Sequence, residues 1–389
     1  MKFQSLLEKK FRAGDLYVLK EWSQLDCHQK ESLAGLQDEP EVYGVFEPVT
    51  GSKNLASKVA YREVALLYLH LQLSNKMPHY LIFSSDQKIN DTIAALLLDG
   101  IIEIEWKGKF VGGPGALPAI YDDDSISKSQ LPNYLSQLSY NAIYYAWMLN
   151  DADEKSIASR LYTYNTIPWD VSMKTTFYGN HSVKDFLFSC IDAEAMNDLK
   201  GRWHSTITEK KEWLSWSRKV GENFSDLHSP HIYKLYISPF INDLPEVLSK
   251  CVAVINNSDA VSFKIGNTLQ GLLRSDKMVV YFYSKESLVE TAAELKESLK
   301  GYASQGVPFS SQLDDNGLLS WGEEPGDEAL NSFESRSWRT FISDTLAAAL
   351  VRAKENKLSW PQAITYIEAM MNTKGLNIRN WAPTYQFNN

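Results

Sequence analysis

Five cations stand among strand-forming residues toward the C-terminal end of this 389-residue chain. Lys234 lies in HIYKLYIS, three residues after His231. Lys264 lies in VSFKIG, Arg274 and Lys277 in LLRSDKMVVYF, and Arg339 in SWRTF. Segments rich in Val, Ile, Tyr and Phe read as strands, half buried on a pleated surface. A charge placed there must be paired or used. Any one of these cations is explained by a neighbouring carboxylate, such as Asp276 beside Arg274 and Lys277. Several together describe an oxyanion pocket. Arg grips a phosphate with a planar fork, and Lys supplies a point charge.

The charge balance confines such a pocket. Residues 231–352 hold 11 basic and 16 acidic residues. An anion site there must be local and enclosed, suited to a small charged group on a specific substrate. The whole chain carries a formal charge of -9. That disfavours non-specific nucleic-acid or anionic-membrane binding. The motifs GxxxxGK[ST], GxGxxG after a strand, HExxH and GxSxG are absent, as are protein-kinase motifs. No nucleotide and no metal cofactor is expected. The run Asp122-Asp123-Asp124 reads as a solvated boundary, since adjacent loop carboxylates usually face water. Cys27, Cys190 and Cys251 form no CxxC pair, which argues against a disulfide framework or a Cys-based zinc site. With no apolar signal-peptide region and no membrane-length apolar run, a cytoplasmic location is expected.

The elements that must position these residues read as an α+β chain in three sections: 1–125, 126–230 and 231–389. In the first, helices are expected at Lys2–Arg12, Leu16–Gln24, Ala60–Leu73 and Lys88–Leu98, the last capped by Ser85-Asp86. Val42–Val49 reads as a strand, and His79–Ser84 as a strand or turn. A hairpin over Ile101–Gly112 turns near Lys107-Gly108. Helix, helix, hairpin is the order of a winged-helix module. A DNA reader needs a basic second helix, but DQKINDTIAALLLDG holds one lysine and three aspartates. Peptide binding by strand addition to the hairpin, through Ile102 and Ile104, is the better reading. The middle section reads as helical: Gln130–Asn150, Lys155–Tyr164, Val183–Arg202 and Thr208–Val220, with His204 as a helix cap. The third has strands at Ile232–Ser238, Ala260–Gly266, Lys277–Tyr283 and Gly317–Trp321. Helices at Leu244–Asn256, Lys285–Lys300, Ser337–Arg352 and Pro361–Met371 complete it.

The stretch FKIG…LLRSDKMVVYF…GYASQGVPFSSQL…GLLSWGEEP…SWRTF resembles the HopA1 family over about residues 231–352. The family's usual segment has Pro between Arg and Asp; Ser275 stands there in this chain. The family includes type III secreted effectors of plant pathogens. It also includes proteins that mature ribosomally made peptides beside a kinase-like partner, together installing dehydroamino acids. The resemblance implies a lyase that removes phosphate from phosphorylated Ser or Thr of a precursor peptide. The competing class is a non-catalytic peptide- or protein-binding component. Phosphate β-elimination needs a base, an acid and cations around the phosphate. Lys264 or Lys277 would be the base, and Arg274 and Arg339 the phosphate clamp. His231 or Lys234 would protonate the leaving group or polarise the substrate carbonyl. Tyr236 and Tyr281 are further proton donors, although tyrosines on alternating strands usually pack.

Overall fold

The computed structural model describes residues 9–33, 41–49, 55–78, 87–121, 131–150, 153–168, 173, 183–205, 212–219, 232–324 and 337–383. The fold is α+β. In the N-terminal region β1 (Phe11–Ala13), β2 (Tyr17–Glu21), β3 (Val42–Pro48), β4 (Lys58–Tyr61), β5 (Ile102–Trp106) and β6 (Lys109–Val111) form two three-stranded antiparallel sheets, β1-β5-β6 and β2-β3-β4. Beyond them lie β7 (Trp203–Ser205), β8 (Trp213–Arg218), β9 (Tyr233–Ile237), β10 (Ser262–Gly266), β11 (Met278–Phe282), β12 (Ser311–Gln312) and β13 (Leu319–Glu323). These build one antiparallel sheet in the order β12-β13-β9-β11-β10-β8-β7.

Strand alternation gives this sheet two different faces. Leu214, Trp216, Leu235, Phe263, Ile265, Val280 and Trp321 point to one. They share a core with Val247, Leu248 and Cys251 of the helix Leu244–Asn257, and with Leu288 and Leu295 of the helix Lys285–Ser298. The other face places Lys264, Val279 and Tyr236 side by side in register, and Tyr281 and Lys234 side by side in the next row. Tyr236 and Val279 pack there in a second core. That core takes Ile157 and Leu161 from the helix Glu154–Tyr162, and Trp338, Ile342 and Leu346 from the helix Trp338–Glu355. It also draws on Phe11, Ile102 and Ile104, so a single core runs through all three sequence sections. The long helix starts where Ser337 accepts from the Thr340 amide.

Gly322 lets this helix approach the sheet. A Cβ there would meet the Trp338 indole at 2.5–2.7 Å. Trp338 is otherwise fixed by its Nε1 donating to the Phe309 carbonyl at 2.8 Å. Gly322→Ala should therefore displace Trp338 and with it the neighbouring Arg339. A loss of about 1–3 kcal/mol is expected from such overpacking. Urea unfolding of the variant checks this; an unchanged midpoint would show that Trp338 yields freely.

Several elements differ from the sequence expectation. Leu16–Gln24 is not a helix: Tyr17–Glu21 is a strand paired with β3, with Tyr17 buried and Val18 exposed. Thr208–Val220 contains β8, in which Leu214 and Trp216 face the core and Ser215 and Ser217 oppose them. The middle section thus supplies two strands of the large sheet as well as helices. Val183–Arg202 is two helices, because Asp192 accepts from the Ala195 amide and starts a second one. His204 lies on β7, exposed, and caps no helix. The hairpin forms, with Lys107 and Gly108 at positive φ in its turn. Its strand β5 is paired on both sides, by β1 and by β6. Ile102 and Ile104 are fully buried. Neither can offer a free edge to a peptide, which corrects the peptide-binding role expected of them. Residues 2–8, His79–Ser84, Ser85-Asp86, Asp122–Asp124 and His231 lie outside the described residues.

Candidate anion-binding and catalytic pocket

A cavity of about 170 Å³ opens on the face of the sheet that carries Lys264 and Tyr236. A buried carboxylate, Asp276, is part of its wall. Asp276 takes a two-pronged contact from Arg274, Nε to Oδ1 at 2.8 Å and Nη2 to Oδ2 at 2.9 Å. Arg339 Nη1 reaches the same Oδ2 at 2.8 Å. Arg274 arrives from the end of the short helix Leu269–Leu273, and Arg339 from the first turn of Trp338–Glu355. Burial alone would raise the Asp276 carboxyl; Arg339 and then Arg274 more than offset that and hold it well below the usual carboxylate range. The carboxylate fixes both guanidiniums side by side. Arg274 Nη1 has no hydrogen-bond partner among the described residues.

Lys264 sits differently. It makes no hydrogen bond or ion pair with any described residue, and its Nζ lies 4.4 Å from the Trp213 ring centre and 5.6 Å from that of Tyr281. Burial first, then the charge of Lys234, push its amine down to about 8, with Asp276 opposing. An uncommitted amine that is substantially neutral near pH 8 is what a proton-abstracting base requires. Lys234 is buried, lies 5.3 Å from the Tyr281 ring centre and is ion-paired with Glu324. Tyr236 and Tyr281 also line the cavity. Burial raises both phenols above their ordinary range, so both stay protonated.

Lys264, Arg274, Arg339 and Lys234 therefore meet in one cavity. Lys277 does not line it. Its fully buried side chain donates to the Pro239 carbonyl at 2.8 Å and to Gln305 Oε1 at 2.5 Å. Gln305 Nε2 in turn donates to the Asn165 and Leu273 carbonyls at 2.6 and 3.0 Å. Burial lowers the Lys277 amine to about 7, yet its place is inside a loop-tying network, so of the two expected bases only Lys264 faces the pocket. The lining also includes residues that the sequence does not point to, among them Tyr162, Trp213 and the carboxylate Glu212. Tyr162 and Trp213 both lie against the Arg274 guanidinium, at 5.2 and 5.3 Å. Trp213 was hidden by the helical reading of its segment. Nothing local to Tyr162 signals its role. Among the described residues no group of His, Cys, Asp and Glu could hold a metal ion, and no helix is long and apolar enough to cross a membrane.

No protein-family model matches the chain, and none of the curated proteins does. Solved structures do. An effector protein from Pseudomonas syringae pv. tomato strain DC3000 aligns over 64% of this chain and 98% of its own, at 12% identity and a TM-score of 0.39. The phosphothreonine lyase SpvC, an effector from Salmonella, aligns over 42% of this chain and 97% of its own, at 14% identity and a TM-score of 0.28. The type III effector and phosphothreonine lyase OspF from Shigella flexneri aligns over 47% and 89%, at 11% identity and a TM-score of 0.28. At these values none of the likenesses assigns an activity to this chain.

Proposed function

We propose that the protein eliminates phosphate from phosphoserine or phosphothreonine in a peptide. The observation that supports this most is the uncommitted Lys264 amine beside two arginines that are already oriented by Asp276. Neutral Lys264 takes the Cα proton. The Cα–H electron pair becomes the Cα=Cβ double bond as the Cβ–O bond breaks. The phosphate leaves with that bond's electrons and takes a proton from Lys234, Tyr236 or Tyr281. Arg274 and Arg339 stabilise the charge that grows on the departing oxygens. Lys234 is alternatively the group that polarises the substrate carbonyl, which acidifies the Cα proton. The sequence resemblance adds the setting: a ribosomally made precursor peptide in the cytoplasm, phosphorylated by a separate kinase-like partner.

The test is incubation with a phosphorylated Ser/Thr peptide, with the kinase-like partner supplying the phosphate in a second arm. Mass spectrometry should find a product lighter than the unphosphorylated peptide by one water. Recovery of plain Ser or Thr would mean hydrolysis and would sink the lyase. Intact phosphopeptide, held more tightly than its unphosphorylated form, would leave a binding component.

A further inference from the structure

Tyr162 closes the helix Glu154–Tyr162 and holds both arginines at once. Its hydroxyl oxygen accepts from Arg274 Nη2 at 2.9 Å. Its backbone carbonyl accepts from Arg339 Nη2 at 2.6 Å. Its ring centre lies 5.2 Å from the Arg274 guanidinium carbon and 5.0 Å from that of Arg339. The carbonyl belongs to the last turn of a helix, the negative end of its dipole. Left bare, it would repel an anion entering the cavity; Arg339 covers it.

A phenol has one proton to give and two lone pairs to accept with. Accepting from Arg274 uses a lone pair and leaves the proton. No described residue accepts that proton, and the side chain lines the cavity. A guanidinium donating into the phenol oxygen polarises the O–H and strengthens it as a donor. Phosphate oxygens, which carry lone pairs and charge, are the matching acceptor. We propose that Tyr162 is a further phosphate-binding residue of this pocket, donating its O–H to the phosphate while it positions Arg274 and Arg339. This rests on the phosphopeptide reading above.

Tyr162→Phe keeps the ring under both guanidiniums and the carbonyl under Arg339, and removes only the hydroxyl. Calorimetric titration with a phosphothreonine peptide and its unphosphorylated counterpart separates the outcomes. The variant should bind the phosphopeptide roughly 10-fold or more weakly, the lower end expected for a hydrogen bond to a charged group. Affinity for the unphosphorylated peptide should not move, which a merely structural role would not achieve. Should the variant be less stable, the rise in Tm on adding inorganic phosphate, measured from each protein's own unliganded Tm, gives the same comparison. That rise should shrink in the variant. A wild-type protein that prefers the phosphopeptide, with the full preference kept in Tyr162→Phe, overturns the role of Tyr162 alone. A wild-type protein with no such preference overturns the phosphopeptide reading and this role with it.

Discussion

Lys264→Met should all but abolish elimination while phosphopeptide binding weakens only a few-fold. Methionine keeps an unbranched side chain over the Trp213 ring, where the Lys264 Nζ now lies at 4.4 Å. What is lost is the amine. A positioned general base contributes about 10²- to 10⁴-fold, so turnover should fall by about that factor. Binding survives because Arg274 and Arg339 are fixed by Asp276, not by Lys264. The pH profile gives a second readout. Burial and Lys234 push the amine down to about 8, and only the neutral amine can take a proton. Wild-type turnover should therefore rise with pH through about 8 and then level off. The residual rate of Lys264→Met should lack that limb. Single-turnover rates across pH decide the matter: a variant as fast as the wild type would remove Lys264 from the chemistry.

The sequence carried the strands of the large sheet that bear the cations, because IYKLYIS, VSFKIG and KMVVYF each combine β-formers with period-two spacing. Register then follows from the fold: Lys264, Val279 and Tyr236 fall in one row only once β10, β11 and β9 pair in that order. Lys277 shows where the period misleads. Alternation puts it on the same face as Val279 and Tyr281, but one row nearer the strand end, where Pro239 and Gln305 cover it. Alternation says which face a side chain leaves from, not what lies above it. In WLSWSR the two indoles stand three residues apart, a spacing that favours helix; in the strand, fixed by pairing with β10, they leave from opposite faces, Trp216 to the core and Trp213 to the pocket. Tyr162 was illegible for another reason. It reaches the pocket through packing of Glu154–Tyr162 against Trp338–Glu355, a contact between segments well apart in the chain. Nor did Ile102 and Ile104 reveal that Phe11–Ala13 would pair on the far side of their strand.

Asp276→Asn should be among the most destabilising single changes in the protein. The carboxylate is buried and serves two guanidiniums, three contacts of 2.8–2.9 Å in all. The amide keeps one acceptor oxygen, turns a donor NH₂ toward a guanidinium and leaves two adjacent cations without their counter-ion. Breaking a buried pair by removing one partner costs about 3–5 kcal/mol, because the remaining charge stays buried. The sign of the pH dependence follows from the depressed folded pKa. An unfolded aspartate titrates at about 3.9. The stability that Asp276 supplies is thus fully present above that value and is lost as pH falls below it toward the lower folded value. The gap between wild type and variant should be widest at neutral pH and narrow in strong acid. A gap that stayed constant with pH would assign the loss to shape and not to charge. The activity profile should move as well. Asp276 raises the Lys264 amine, so removing its charge lets that amine fall further below about 8. In whatever fraction of the variant folds, the rising limb of turnover should therefore appear at lower pH than in the wild type. A limb that stayed in place would disconnect Asp276 from the base.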